Sequence, residues 1–393
     1  VTPEYQYLII GGGMTGDAAV LGIREADSRG TIGLIGAEPD PPYNRPPLSK
    51  ALWKGEPEES VWRPDAAATS AELHLGRRVV RIDAAAHTVT DDAGTTYRYR
   101  KVLLATGGTP RRLPGDPPEV IYYRTFRDYR RLRDLADHKQ RFVVIGGGFI
   151  GSEVAAALRT VGREVSMIIP ENGLGTRIFP ADLAHFLEEY YREKGVLMHM
   201  DEGFAGLTPP GSRTIVRTTK GNELEADGVV AGIGIVPALE LARQAGLTTG
   251  NGIEVDAFCR TSHPDLYAAG DGASFPNPAL GIRLRVEHED NANAMGRVAG
   301  LNMAGRETRY DHLPFFYSDL FDLGYEAVGE LDPRLETFSD WVEPFRQGVV
   351  YYLKDGRVRG VLLWNTWGQL DAARTLIAEP GPFRATDLRG RIR

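Results

Sequence analysis

Gly11, Gly13 and Gly16 stand at GxGxxG spacing, and a carboxylate follows at Glu38. These residue types at this spacing suit a dinucleotide. Gly11 permits a tight turn, Gly13 lets a pyrophosphate approach the backbone, and Gly16 lets a helix pack on a sheet. The helix that follows offers free N–H groups and a partial positive charge to the phosphates. Glu38 is placed to accept hydrogen bonds from a ribose diol. The pattern recurs 135 positions later as Gly146, Gly148 and Gly151, with Glu171 as the acid. Two such sites in one chain imply two facing dinucleotides, one giving a hydride and one taking it. Flavin and nicotinamide are the usual pair.

The elements that must position these groups are readable. Tyr7–Ile10 and Thr31–Ile35 are apolar strands flanking a helix from Met14 to about Ala26. Phe142–Ile145 and Glu164–Ile169 flank a second helix, from about Phe149 to Arg159, with Gly162 as its stop. Pro41, Pro42, Pro46 and Pro47 predict an extended segment, helical only beyond Pro47, that presents Arg45 and Lys50. Val79–Asp83 and Thr88–Thr90 read as strands, with a turn at Asp92-Ala93-Gly94. Lys101–Ala105 is a buried strand running into a close-approach loop that begins at Thr106. After a linker at Pro114–Pro118, Thr214–Thr218 and Val229–Ala231 are strands of an inserted domain that ends at Gly232–Pro237. Ile253–Val255 and Leu266–Ala269 return the chain to the first domain. Gly270-Asp271-Gly272 then places Asp271 at a helix start, able to accept from a ribityl hydroxyl.

Arg285–Asp290 leads a helix reaching about Met303, with acids in its first turn to suit the dipole. From Tyr310 onward the chain is aromatic-rich. Gly348–Leu353 and Val358–Trp364 form a hairpin about Asp355-Gly356, a helix closes at Gln369–Ile377, and the polar Gly381–Arg393 is expected to be disordered. The expected fold class is α/β: two Rossmann-like dinucleotide-binding domains and a C-terminal α+β domain. Residues 1–112 and 237–304 form the first domain, 113–236 the second and 305–393 the third.

Composition narrows the function. The 393 residues are 25% charged and 42% hydrophobic, as in an ordinary soluble globular protein. No apolar run reaches membrane-span length, and no basic, apolar leader precedes the first strand, so a cytoplasmic protein is expected. The net charge of −7 argues against a nucleic-acid surface. Cys259 is the only cysteine, so there is no intramolecular disulfide, no dithiol electron relay and no cysteine metal cluster. The eight histidines show no ligand spacing, and no metal is expected. Cys259 itself reads as a small buried residue.

The runs RPPLSK (Arg45–Lys50), ATGGTPR (Ala105–Arg111), GGGFIGSE (Gly146–Glu153), AAGD (Ala268–Asp271) and RVEH (Arg285–His288) add a resemblance. The set resembles the two-dinucleotide flavoprotein reductases that include apoptosis-inducing factor, monodehydroascorbate reductase and the ferredoxin reductases of oxygenase systems. It spans Tyr7 to about Ile377, in a glutathione-reductase-like arrangement. Phe316–Glu330 and Tyr352–Asn365 are most similar to apoptosis-inducing factor. The resemblance implies FAD and NADH as cofactors. It assigns Glu38, Arg45, Lys50, Val79, Thr106, Arg127, Asp271, Glu287, His288 and Tyr317 to FAD. Phe149, Glu153, Glu171, Arg177, Gly234 and Glu326 contact or border NADH, and Gly147, Gly148, Ile150 and Asn365 are further cofactor-binding candidates. Lys50 and Glu153 become the catalytic pair at the flavin N5, and Tyr317 covers the ring. Tyr317 stands where Trp is usual, and two features depart from the apoptosis-inducing factor pattern: Glu289 stands where a second His follows His288, and its long insertion is missing between Phe338 and Gly348. A lysine-rich DNA-binding face is absent as well.

The implied activity is an NADH-dependent flavin reductase that passes electrons directly to an acceptor. A ferredoxin or rubredoxin, a quinone, oxygen or a small radical would serve, and a homodimer is compatible. The alternative is a redox sensor that forms a long-lived complex with NADH and changes its assembly. A flavin scaffold without chemistry is disfavoured by Lys50 and Glu153.

Overall fold

The computed structural model describes residues 2–63, 70–208 and 214–393. The chain forms two compact units: Val1–Arg45, Glu59–Thr109 and Val236–Pro314 make the first, and Pro46–Glu58, Pro110–Ile235 and Phe315–Arg393 the second.

The first unit is built on a sheet whose strands run in the order Glu72–Leu75, Ile32–Gly36, Glu4–Ile10, Thr96–Leu104, Thr88–Asp91 and Val79–Asp83. The first four pair in parallel, and the last two add on as an antiparallel hairpin. Thr96–Leu104 divides its far edge. Residues 96–98 bond the hairpin, while residues 102–104 take Leu266–Ala268 in parallel. Leu8, Ile9 and Leu34 are fully buried, which explains the unbroken apolar runs of the parallel strands. The helix Met14–Ala26 packs on the helix Glu289–Met303 with almost no side chain between their backbones. A Cβ on Gly22 would lie 2.1 Å from the Arg297 carbonyl oxygen, and one on Gly300 the same distance from that of Ala19.

The second unit carries a five-stranded parallel sheet in the order Val196–Met200, Glu164–Ile169, Arg141–Ile145, Gly228–Ala231 and Val120–Tyr122. Helices Phe126–His138, Phe149–Thr160 and Ala181–Glu193 accompany it. Thr125 and Asp128 cap the first of these reciprocally, which is why it begins at Phe126. A three-stranded antiparallel sheet is formed by Phe204–Leu207, Ile215–Thr218 and Glu223–Glu225. The C-terminal part is a five-stranded antiparallel sheet in the order Phe315–Leu320, Leu323–Gly329, Arg357–Trp364, Gln347–Lys354 and Glu336–Glu343. Helix Leu370–Ala378 covers it, with Leu376 and Ile377 buried.

Three local expectations are corrected. Pro46–Ser49 is already a 3₁₀ turn, because a proline at a first helical position lacks only an N–H that would be unpaired anyway. Asp271 lies in a single 3₁₀ turn, Gly270–Gly272, that runs into the strand Ala273–Asn277 and begins no α-helix. The tail is ordered: Ala385–Leu388 is helical, and Leu388 and Ile392 are buried. Two apolar anchors in a polar stretch are enough to dock it.

Candidate functional site

Both glycine motifs fold into the same cradle. In the first, Gly11 has φ +126°, and a Cβ there would stand 2.1 Å from the Ala105 carbonyl oxygen. A Cβ on Gly16 would stand 2.1 Å from the Gly11 carbonyl oxygen. Around the middle residue, Gly13, no atom of the described residues beyond its chain neighbours lies within 4 Å of such an atom. The second cradle repeats this, with 2.5 Å from Gly146 to the Gly232 oxygen, 2.0 Å from Gly151 to the Gly146 oxygen, and open space at Gly148. The outer glycines are thus required by the protein's own backbone, and the middle ones leave room for a ligand. Gly13 and Gly148 are also the N-caps of the helices that follow, and neither helix has a side-chain cap. Free N–H groups at an open, uncapped helix end fit a pyrophosphate. The cradles therefore fit two dinucleotides.

In the first unit, Glu38 accepts from the Tyr43 hydroxyl at 2.6 Å and from Arg45 at 2.5 Å. Arg45 also lies over the Tyr43 ring, 5.1 Å from its centroid. Tyr43 was not singled out by sequence, although it stands two residues before Arg45. The Asp271 turn sits against the cradle: a Cβ on Gly270 would fall 2.2 Å from the Thr15 hydroxyl oxygen. Arg285 donates to the Asp271 carbonyl at 3.0 Å and pairs with Glu287 at 2.6 Å, joining two of the expected residues. His288 is the N-cap of the helix Glu289–Met303. Thr106 spends its hydroxyl on the Ala238 carbonyl, 3.1 Å away, and Val79 is a buried strand residue.

In the second unit, Lys50 and Glu153 meet, although 103 residues separate them: Nζ lies 2.7 Å from Oε1, with the side chains 11% and 2% exposed. The Ser318 hydroxyl donates to the same oxygen at 2.6 Å, and the Ser49 hydroxyl to Oε2 at 2.5 Å. The Lys50 ammonium also stands 5.0 Å from the centroid of the Tyr317 ring, within reach of its π-face. The turn carrying Lys50 is held from beneath. Trp53 donates its indole N–H to the Leu48 carbonyl at 2.8 Å, and the Tyr123 hydroxyl donates to the same oxygen. Burial, followed by the charge of Glu153, raises the hydroxyls of Tyr191 and Tyr325 well above the ordinary tyrosine range. Ser49 and Ser318 were missed by sequence reasoning. Their signal was a place inside the runs Arg45–Lys50 and Phe316–Glu330, next to Lys50 and Tyr317.

Phe149 and Ile150 remain partly exposed at the start of their helix, and the Phe149 ring meets Phe316 edge-on at 5.2 Å. Gly147 lies between them and the turn, against Ile169. Glu171 is paired with Arg177 at 2.6 Å, where sequence had left the direction of Arg177 open. Gly234 has φ +86° and accepts from the Arg111 N–H at 2.9 Å. Glu326 is opposite Tyr317 in the sheet, and its Oε2 is buried with no hydrogen-bond partner among the described residues. Burial raises its carboxyl, opposed by the Gly368 N–H and the charge of Arg374. Asn365 braces the backbone, accepting from the Gly324 N–H at 2.7 Å and donating to the Arg346 carbonyl at 2.9 Å. Arg127 is exposed in the first turn of its helix.

Cys259 is buried and its thiol is pushed upward by burial, so it offers no redox thiol. Among the described residues, no group of three or more histidine, cysteine or acidic side chains could hold a metal, and no helix is long and apolar enough to cross a membrane.

The family model for pyridine nucleotide-disulphide oxidoreductases matches residues 5–296. A second model, for the C-terminal domain of mitochondrion-associated apoptosis-inducing factor, matches residues 299–344 and 339–379. The chain is 37% identical to the ferredoxin–NAD(+) reductase component of the anthranilate 1,2-dioxygenase system of Burkholderia cepacia, covering 97% of each chain. It is 33% identical to mitochondrial apoptosis-inducing factor 1 of Dictyostelium discoideum, covering 95% of this chain and 78% of that one. Among solved structures, a covalent putidaredoxin reductase–putidaredoxin complex matches with a TM-score of 0.90 at 30% identity, covering 96% of this chain and 94% of that one.

Proposed function

The chain belongs to the pyridine nucleotide-disulphide oxidoreductase family, and from that premise we propose that it is a cytoplasmic NADH-dependent reductase delivering electrons to a small ferredoxin-type carrier protein. Its cofactors are FAD and NAD(H). The observation that carries this reading is the doubled cradle, open at Gly13 and at Gly148, in a chain whose single cysteine is buried. With no dithiol to relay them, electrons pass directly to the acceptor.

The bound cofactors supply the redox chemistry, a hydride given up by the nicotinamide and accepted at the flavin N5. The protein's part is orientation and electrostatics. Lys50 would offer a positive charge to the flavin. Glu153 holds that ammonium in one direction, so little reorganisation is needed at the moment of transfer. Tyr317 offers a ring face, worth ~0.5–1.5 kcal/mol beyond its burial when an aromatic system stacks on it. Glu38, with Tyr43 and Arg45 already bound to it, would accept from the FAD ribose, and Glu171 from that of NADH.

The C-terminal match to apoptosis-inducing factor favours a second reading, a redox sensor whose assembly answers to NADH. One anaerobic titration separates the two. The FAD-loaded protein is bleached with NADH, an iron–sulfur carrier is then added, and sedimentation is run with and without NADH. Rapid reoxidation by the carrier supports the reductase. A long-wavelength band that persists in air, with slow turnover and dimerisation on NADH, supports the sensor. Failure of NADH to bleach the protein sinks both.

A further inference from the structure

We propose that Ser49 and Ser318 are positioning residues of the reductase, acting through the Lys50–Glu153 pair. The proposal rests on the assignment of that pair to the flavin.

The geometry is specific. A carboxylate has about four lone-pair sites, and Glu153 fills at least three of them with donors from two places in the chain, Ser49–Lys50 and Ser318. Lys50 and Ser318 converge on Oε1 at 2.7 and 2.6 Å, and Ser49 takes Oε2 at 2.5 Å. Both serines are buried, at 5% and 1% exposure, so water does not replace them. A lysine and a glutamate alone can meet over a range of directions, because an ammonium is a point charge on a flexible stem. Fixing both carboxylate oxygens removes the rotation of the acceptor and leaves the ammonium one seat. The residue next to Ser318 contributes as well: Tyr317 brings its ring to 5.0 Å from the same ammonium. Two consecutive residues of the strand Phe315–Leu320 therefore hold opposite ends of one ion pair. Tyr325, paired with Ser318 in the sheet, places its buried hydroxyl beside it and extends the network inward. Stability alone would be served by an apolar filling, since buried ion pairs are often neutral or worse than hydrophobic replacements. The arrangement makes sense as a device that aims Lys50.

The test uses the FAD-loaded protein and rapid mixing with NADH. Wild type must be bleached first, and if it is not, the assignment of function fails before the serines are in question. Ser318→Ala is expected to slow bleaching at saturating NADH at least tenfold, with the NADH concentration for half-maximal rate changed less than twofold. Ser318→Thr, which keeps the hydroxyl, is expected to recover most of the rate. In a Lys50→Met background, Ser318→Ala is expected to change the rate less than twofold, since the group it aims is gone. The midpoint potential of the bound FAD is expected to fall in Ser318→Ala and to be restored in Ser318→Thr. Ser49→Ala is read in the same ways, so that a variant unable to retain FAD leaves the other to decide. A wild-type rate in Ser318→Ala, an equal loss in the Lys50→Met background, or an unmoved potential overturns the proposal.

Discussion

The two glycine cradles share a backbone but not a neighbourhood. In the first, Glu38 is held on two sides, by Tyr43 at 2.6 Å and Arg45 at 2.5 Å, both from the proline-bounded segment that follows it. In the second, Glu171 has Arg177 at 2.6 Å, and that arginine is 84% exposed. A ribose entering the first cradle meets an acid whose direction is already set. One entering the second meets an acid whose partner must be moved or reordered, which costs side-chain entropy. On the proposed function, the first would suit a resident cofactor and the second a coenzyme that comes and goes. Repetition of the motif therefore reproduces the glycine cradle, while the residues beyond the second strand set how firmly each acid is held.

The largest test of that contrast is ligand removal. At the same saturating free concentration, FAD should add more to unfolding stability than NADH, by about 2.7 kcal/mol for a dissociation constant a hundredfold lower. Denaturant titrations of the apo, FAD-loaded and NADH-supplemented protein measure both. Equal contributions would break the comparison.

Coenzyme choice comes next. Facing a 2′-phosphate, Glu171 is a like charge costing several kcal/mol, on the order of a hundredfold preference for NADH in kcat/KM. Glu171→Ala, with Arg177 retained, should lose most of that preference, because the freed guanidinium can then meet the phosphate. If wild type uses NADPH equally well, Arg177 governs the pocket.

Substitutions of the glycines separate packing from binding. Gly16→Ala and Gly151→Ala each drive a Cβ into a backbone oxygen and should cost about 1–3 kcal/mol of apo stability. Gly13→Ala and Gly148→Ala should leave apo stability within about 0.5 kcal/mol. The first of these weakens FAD binding and the second raises the KM for NADH. A middle-glycine variant that binds normally would show that the open space is not where the pyrophosphate lies.

The smallest effect is expected at Arg177. An exposed pair is worth ~0–1 kcal/mol, so Arg177→Ala should scarcely move the melting curve. Arg45→Ala should instead weaken FAD retention measurably, because it undoes one side of a preset acid. Comparable effects of the two variants on ligand binding would erase the distinction drawn here.

By itself the sequence determined the two cradles, their strands and helices and the acids that end them. Those features are written locally, in glycine spacing and apolar runs of about thirty residues each, although the carbonyls that crowd Gly11 and Gly146 come from Ala105 and Gly232. The resemblance carried Lys50 and Glu153 to one role, and the structure brings them within 2.7 Å. What sequence did not disclose lies across long separations. Ser318 reaches Glu153 over 165 positions, and Arg297 meets the missing side chain of Gly22 where two helices cross. A serine or a glycine at such a place looks like any other, because its meaning is a partner delivered by the fold. The sheet partners of Glu72–Leu75 and Glu336–Glu343 were likewise invisible, since these strands are only partly buried and show no strong apolar alternation. Direction, too, was decided only by tertiary structure. Arg177 follows two glycines that leave its path free, and only the folded loop turns it onto Glu171.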